Sequence, residues 1–160
     1  MRVFLTGGTG FIGGHVARRL RLRGDDVVAL ARNPDKAETL RELGCDIIAG
    51  NLSDDAAIAR GCAGADAVIH AGAIYEVGVP KSRHGELFEA NVAGTERVLD
   101  AAVAAGVPRT VYVSTVAVFG DTGGALVDEG FKRVAPFPSE YERTKTLAHE
   151  LALDRIAGGA

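Results

Sequence analysis

A short strand that runs directly into a glycine-rich turn, and out again into an amphipathic helix, constrains this chain more than any other feature. Arg2-Val3-Phe4-Leu5-Thr6 reads as a buried strand, apolar at three successive positions. Gly7-Gly8-Thr9-Gly10-Phe11-Ile12-Gly13 follows, with G-x-G-x-x-G starting at Gly8 and G-x-x-G-x-x-G at Gly7. Behind it Ile12, Val16 and Leu20 recur at helical spacing, and Gly24 is placed to end the helix in a left-handed cap. This order of elements is the context in which such a fingerprint binds a dinucleotide. The glycines let backbone approach a pyrophosphate, and the helix N-terminus presents free N–H groups and a positive dipole end. Gly7, Gly10, Phe11, Ile12 and Gly13 are therefore the expected cofactor contacts; the alternative is a turn serving close packing only. Arg18, Arg19, Arg21 and Arg23 crowd the helix end, where they complement its dipole rather than mark a nucleic-acid patch.

The second strand, Asp26 to Ala31, bears on which dinucleotide. NAD-binding versions of this unit carry an acidic residue about 20 residues beyond the glycines, on the ribose 2′-hydroxyl. Here the count reaches Ala31 and Arg32, with no carboxylate until Asp35. A guanidinium can donate paired hydrogen bonds to a 2′-phosphate. NADP is therefore expected, with NAD as the alternative, and Lys36 either assists Arg32 or is a solvated helix residue.

Near the other end stands Tyr141-Glu142-Arg143-Thr144-Lys145. On a helix this spacing puts phenol and ammonium on one face, one turn apart. At ~4 Å and an effective dielectric of ~20 their attraction is ~4 kcal/mol, or about three pKa units. That is enough to draw a tyrosine towards neutrality as a general base. Alone, the pair is equally an exposed helix face.

With 160 residues the chain suits one domain, 1–160, and its 18 basic against 21 acidic residues argue against nucleic acid as a partner. Cys45 and Cys62 lack metal or redox spacing, and the four histidines form no ligand cluster, so no metal is expected. No stretch approaches the ~20 apolar residues of a membrane helix. A cytoplasmic location and a small-molecule substrate are the expectations.

Strand and helix patterns alternate throughout. After the second strand come a helix from Pro34 to Leu43, a strand from Cys45 to Ala49 and a short helix around Asp55 to Arg60. A strand at Ala67 to His70, a long helix from about Glu86 to Ala105 and a strand from Thr110 to Ser114 follow. A last helix opens at Ser139, where Ser139-x-x-Glu142 forms a capping box. Such alternation predicts an α/β doubly wound parallel sheet of Rossmann type, order 3-2-1-4-5. The glycine turn, Ala71-Gly72-Ala73, Thr115 and the Tyr–Lys helix then meet at the carboxyl edge of the strands. The loops Tyr75 to Gly85 and Gly120 to Pro138 border it, as substrate covers or as plain connections.

With these residues assembled, the chain resembles the extended short-chain dehydrogenase/reductase family, which includes NAD(P)-dependent epimerases, dehydratases and dihydroflavonol-reductase-like enzymes. The resemblance runs through Thr6 to Gly13, Asp66 to Ala73, Asn91-Val92-Ala93-Gly94-Thr95, Val113 to Gly120, Tyr141 and Lys145. It implies an oxidoreductase or epimerase domain moving hydride between nicotinamide and a substrate alcohol or ketone. Tyr141 would be the general acid/base, and Lys145 would lower its pKa and hold the nicotinamide ribose. Thr115 would hydrogen-bond the substrate oxygen, with Ser114 the neighbouring alternative. Asn51 and Leu52 would contact the adenine, and Ala71, Gly72 and Ala73 would line the cofactor. Asn91 would either belong to the active site or tie its helix to a loop.

The resemblance also implies what is lacking: a sixth strand, and a C-terminal part that shapes the substrate pocket. The chain is thus expected to be the cofactor-binding part of a longer enzyme, weak or inactive alone. Helices Glu86–Ala105 and Ser139–Ala157 carry apolar faces consistent with a homodimer. A non-catalytic NAD(P)-binding or cofactor-sensing module is the competing reading.

Overall fold

A computed structural model describes residues 1–134 and 136–158. Position 135, in the expected 120–138 loop, and residues 159 and 160 of the expected 1–160 domain lie outside the described residues. Five parallel strands form one sheet: β1 (Arg2–Thr6), β2 (Asp26–Ala31), β3 (Asp46–Ala49), β4 (Ala67–His70) and β5 (Thr110–Tyr112), in the order β3-β2-β1-β4-β5. The expected doubly wound order is therefore observed. Register aligns Thr6 with His70 and His70 with Tyr112, so three polar side chains end adjacent strands at the carboxyl edge.

The helices are α1 (Phe11–Leu22), α2 (Glu38–Glu42), α3 (Asp55–Cys62), α4 (His84–Phe88), α5 (Gly94–Ala104) and α6 (Glu140–Ala157). They cover two faces because successive strand residues point to opposite sides. Val3, Leu5, Val27 and Ala29 pack towards Ala17, Leu20 and Leu40; Phe4, Val28, Leu30 and Val68 pack towards Ile58, Val98 and Ala102. No helix among the described residues is long and apolar enough to cross a membrane.

Three helices end alike. After α1, the N–H of Gly24 reaches the Arg21 carbonyl and that of Asp25 the Leu20 carbonyl. Gly44–Cys45 after α2 and Gly106–Val107 after α5 repeat this pairing. All three glycines have φ between +65° and +87°, the left-handed cap that returns orphan carbonyls to hydrogen bonds before the next strand begins.

Several boundaries depart from the sequence reading. The stretch expected as one helix from Pro34 begins as a 3-10 turn over Pro34–Ala37, capped by Asn33 Oδ1 on the Asp35 N–H. The long helix expected from Glu86 starts earlier, at His84, and is interrupted by a π-helical segment, Glu89–Ala93, between α4 and α5. The Tyr75–Gly85 loop is shortened in turn by a 3-10 turn at Lys81–Arg83. β5 ends at Tyr112, not Ser114: one further bond, Val113 N–H to His70 O, follows it before Thr115 caps a 3-10 turn, Val116–Phe119. The capping box is half formed: Ser139 Oγ accepts from the Glu142 N–H, but the Glu142 carboxylate pairs with Arg133.

Candidate active site

The glycine turn leaves β1 at Gly7, whose φ is +73°. A β-carbon there would lie 2.6 Å from the Ala71 carbonyl carbon and the Gly72 nitrogen; one on Gly13 would lie 2.1 Å from Gly7 O. The turn can therefore lie against the β4 loop, and α1 against the turn, only without side chains at these positions. Gly10 caps α1, with no side-chain hydrogen bond and no acidic residue in the first turn. The N–H groups at this end thus face outward with a positive dipole, which fits an anionic pyrophosphate. Ile12, expected on the buried face, is 55% exposed, and Phe11 is 84% exposed. The buried stripe is instead Gly13, Ala17 and Leu20.

A cleft of about 370 Å³ opens at the carboxyl edge of β1, β2 and β4. It gathers Gly7, Gly10, Arg32, Asn51, Leu52, Ala71, Gly72 and Ala73, with Thr9 and Ser53 beside them. Eight of the expected cofactor residues are thus brought together. Asn51 Oδ1 accepts from the Ser53 N–H at 2.7 Å, which holds the loop that carries Leu52. Glu86 and Glu89 line the same cleft from across it, residues that sequence reasoning did not select. The Arg83 guanidinium, aided by Arg32, holds the Glu86 carboxyl below its ordinary range.

Behind this cleft runs a buried polar chain. The Gly72 N–H donates to Thr6 Oγ1 at 3.1 Å, which lies 2.5 Å from His70 Nδ1. His70 Nε2 is 3.0 Å from Thr95 Oγ1, which donates to Asn91 O at 2.7 Å. Since the Thr95 proton is committed to a carbonyl, Thr95 must accept from His70 Nε2–H. The Nδ1 lone pair then accepts from the Thr6 hydroxyl. Every donor and acceptor is matched by a neutral ring in one tautomer, and burial pushes the His70 pKa down to about 3.

Asn91 lies in the π-helical segment, 1% exposed. Its Oδ1 accepts from the Ile74 N–H, and its Nδ2 donates to Ile74 O and Thr144 Oγ1. Of the two readings left open for Asn91, the helix-to-loop tie is the one these bonds describe. The tie places Ile74 in the cleft and the Tyr75 ring edge-on to Tyr141, with centroids 4.9 Å apart.

Thr115, Tyr141 and Lys145 lie towards β5 and α6. The Thr115 hydroxyl acts on the Tyr141 phenol and favours its ionised form, but burial outweighs it and raises the phenol pKa. Ser114 turns away, with its Oγ 3.0 Å from His149 Nδ1. Lys145 does not pair with Tyr141. Its Nζ donates to Tyr112 Oη at 2.8 Å and to Val113 O at 2.9 Å, and burial lowers its pKa to about 8. The expected drop in the Tyr141 pKa is therefore corrected to a rise: helical spacing sets two residues on one face, but the lysine follows stronger acceptors at the end of β5. Tyr112 was missed by sequence reasoning. Its signal would have been an amphipathic side chain closing a strand beside the Thr115 motif.

The parallel sheet, its order and its flanking helices define an α/β domain of Rossmann type. Residues 3–159 match the NAD dependent epimerase/dehydratase family, and the chain belongs to that family. It is 38% identical to a 4-hydroxy-2-methyl-3-oxo-4-farnesyl-3,4-dihydroquinoline-1-oxide ketoreductase of Stigmatella aurantiaca, over 99% of this chain and 47% of that one. It is 36% identical to a putative dihydroflavonol 4-reductase of Synechocystis, over 98% of this chain and 45% of that one. Among solved structures, a short-chain dehydrogenase/reductase superfamily protein from Agrobacterium tumefaciens with bound NAD superposes with a TM-score of 0.81 at 31% identity. That match covers 95% of this chain and 44% of that one. A UDP-glucose-4-epimerase from Stenotrophomonas maltophila with bound NAD and formylated UDP-arabinopyranose superposes with a TM-score of 0.87 at 28% identity, over 100% and 50%. The chain spans about half the length of the curated relatives it matches.

Proposed function

We propose that this chain is the cofactor-binding half of an NADP-dependent oxidoreductase that interconverts a substrate alcohol and ketone. The observation that carries the reading is the adjacency of two groups along one sheet edge. An anion-receiving glycine turn with Arg32 stands on one side, and Tyr141 with Thr115 on the other, joined by the Ile74–Tyr75 segment. The nicotinamide supplies hydride when it is bound.

The chain's own residues supply the rest. Gly7, Gly10 and the first turn of α1, with Phe11, Ile12 and Gly13, would receive the pyrophosphate, and Asn51 and Leu52 the adenine side. Ala71, Gly72 and Ala73 offer backbone and small side chains where bulk would obstruct. The Arg32 guanidinium would meet a 2′-phosphate with paired hydrogen bonds. Tyr141, its pKa raised, holds its proton at neutral pH and can give it to a carbonyl oxygen during reduction. Thr115 would donate a hydrogen bond to the same oxygen. The Lys145 ammonium, one helical turn along α6 from Tyr141, would stabilise a developing phenolate and would hold the nicotinamide ribose.

Tyr141→Phe in the protein as it occurs in the cell tests the assignment. Turnover should fall on the order of 10²–10⁴-fold while cofactor affinity is retained; activity surviving the change would remove Tyr141 from the role. One observation favours a second reading, NAD in place of NADP: Glu86 shares the cleft with Arg32 and interacts with its charge. Solved structures similar to this chain also hold NAD. Fluorescence titration with NADPH and NADH separates the two.

A further inference from the structure

We propose that Tyr112, at the end of β5, is a positioning residue that holds the Lys145 ammonium where the site uses it. The proposal rests on the assignment of Lys145 above, but its test does not need turnover.

Lys145 is nearly buried, and an ammonium with unmatched protons in such a place is costly. The structure gives it two oxygen partners, and one is the phenol of Tyr112 at 2.8 Å. The same ammonium lies 4.6 Å from the centroid of the Tyr112 ring, so phenol and ring both attract it. Lys145 is thereby drawn towards the sheet edge, 33 residues away along the chain from its partner.

Tyr112 is itself fixed from two sides. Its ring stacks on His70, with centroids 5.8 Å apart and planes at 30°. On the other side the Tyr112 phenol is held by Lys145 itself, and burial keeps that phenol protonated, well above its ordinary range. A protonated phenol can accept from Lys145 and donate inward at once. The groups that face Lys145 are consistent with this arrangement. His70, from β4, is locked neutral by its hydrogen bonds and so adds no positive charge against the ammonium. His149, on α6 with Lys145, has its pKa lowered by burial. Tyr141, also on α6, is held protonated. The Tyr112 oxygen is thus the only side-chain acceptor bonded to Lys145 among the described residues.

Side-chain NMR on lysine-labelled protein tests this directly, since the sequence has four lysines and a Lys145→Met sample assigns the signal. Tyr112→Phe keeps the ring and removes the oxygen. The phenol oxygen accepts from the charged form of the amine, so its loss should lower the Lys145 pKa by about one unit or more. An unchanged Lys145 titration overturns the proposal. Should Tyr112→Phe fold poorly, Lys145→Met provides the second reading through the three tyrosines of the chain. The Tyr112 ring signal should move on loss of the ammonium, and an unmoved signal overturns the proposal as well. NADPH titration of the same samples reports separately on cofactor binding. A protein that binds no cofactor but shows the lysine shift would retain the positioning role and lose the functional reading.

Discussion

The α-carbon of Gly13 faces the carbonyl oxygen of Gly7 so closely that a β-carbon would stand 2.1 Å from it. Both atoms belong to backbone, so no side chain can swing aside. Gly13→Ala should therefore push α1 away from the turn and destabilise the fold by about 1–3 kcal/mol, the usual cost of overpacking. Urea unfolding monitored by circular dichroism measures it. Gly64→Ala is the control: that position has open space around it but a φ of +66°, so it isolates backbone strain from collision.

Asn91 satisfies both polar groups of the Ile74 backbone and the Thr144 hydroxyl. Asn91→Ala leaves a partly buried N–H and a partly buried carbonyl of Ile74 unpartnered, each worth at most about 1–3 kcal/mol. The variant should unfold at clearly lower urea concentration. Amide exchange at Ile74 should also quicken relative to exchange in β1. Unaltered exchange at Ile74 would contradict the clamp.

Stability should fall as pH drops through the histidine range. His70 is held neutral, its pKa lowered from 6.5 to about 3 by burial. Below about pH 6.5 the unfolded chain takes up a proton that the folded chain refuses, so the stability present above that pH is lost progressively down to about pH 3. One such group imposes a slope of up to ~1.4 kcal/mol per pH unit. His149, with a lowered pKa as well, adds a contribution of the same sign. Unfolding midpoints at pH 7.5 and 5.5 should differ in the wild type, and the difference should shrink in His70→Gln. A flat wild-type profile over this interval would refute the neutral assignment.

Arg32 lines the cleft without a carboxylate in ion-pair contact among the described residues. If it receives a 2′-phosphate, Arg32→Ala removes charge-assisted hydrogen bonds worth about 1.5–3 kcal/mol. NADPH affinity should then fall on the order of 10–100-fold while NADH affinity barely moves. Equal losses for both cofactors would mean that Arg32 supports the cleft wall and does not read the phosphate.

Strand order was legible in the sequence because it follows from local signals: a strand, a turn and a helix repeated, with handedness doing the rest. The glycine turn and its cleft partners were legible for a similar reason, since Gly7, Arg32, Asn51 and Gly72 each close a strand on the same sheet edge. What escaped depends on which distant side chain arrives first. Lys145 could have been expected beside Tyr141 from spacing alone, yet a phenol and a carbonyl at the end of β5 take it. His70 and Tyr112 become neighbours only through the register of β4 with β5. The π-helical segment leaves no pattern of its own, because Glu89 to Ala93 has ordinary helix-forming residues and the extra residue serves contacts made by Asn91.

That segment has a consequence for how the chain tolerates insertions and deletions. Each residue turns an α-helix by about 100°, so the wider π turns set the angular phase between α4, which buries Leu87, and α5, which buries Val98, Leu99 and Ala102. Removing one residue between Glu89 and Ala93 would rotate one of those faces out of the core, or drag Asn91 off Ile74. The glycine-bearing stretch around Gly123 and Gly124 carries no such phase. Chain length is thus rigidly specified in five residues of helix and loosely specified in the Gly123–Gly124 stretch.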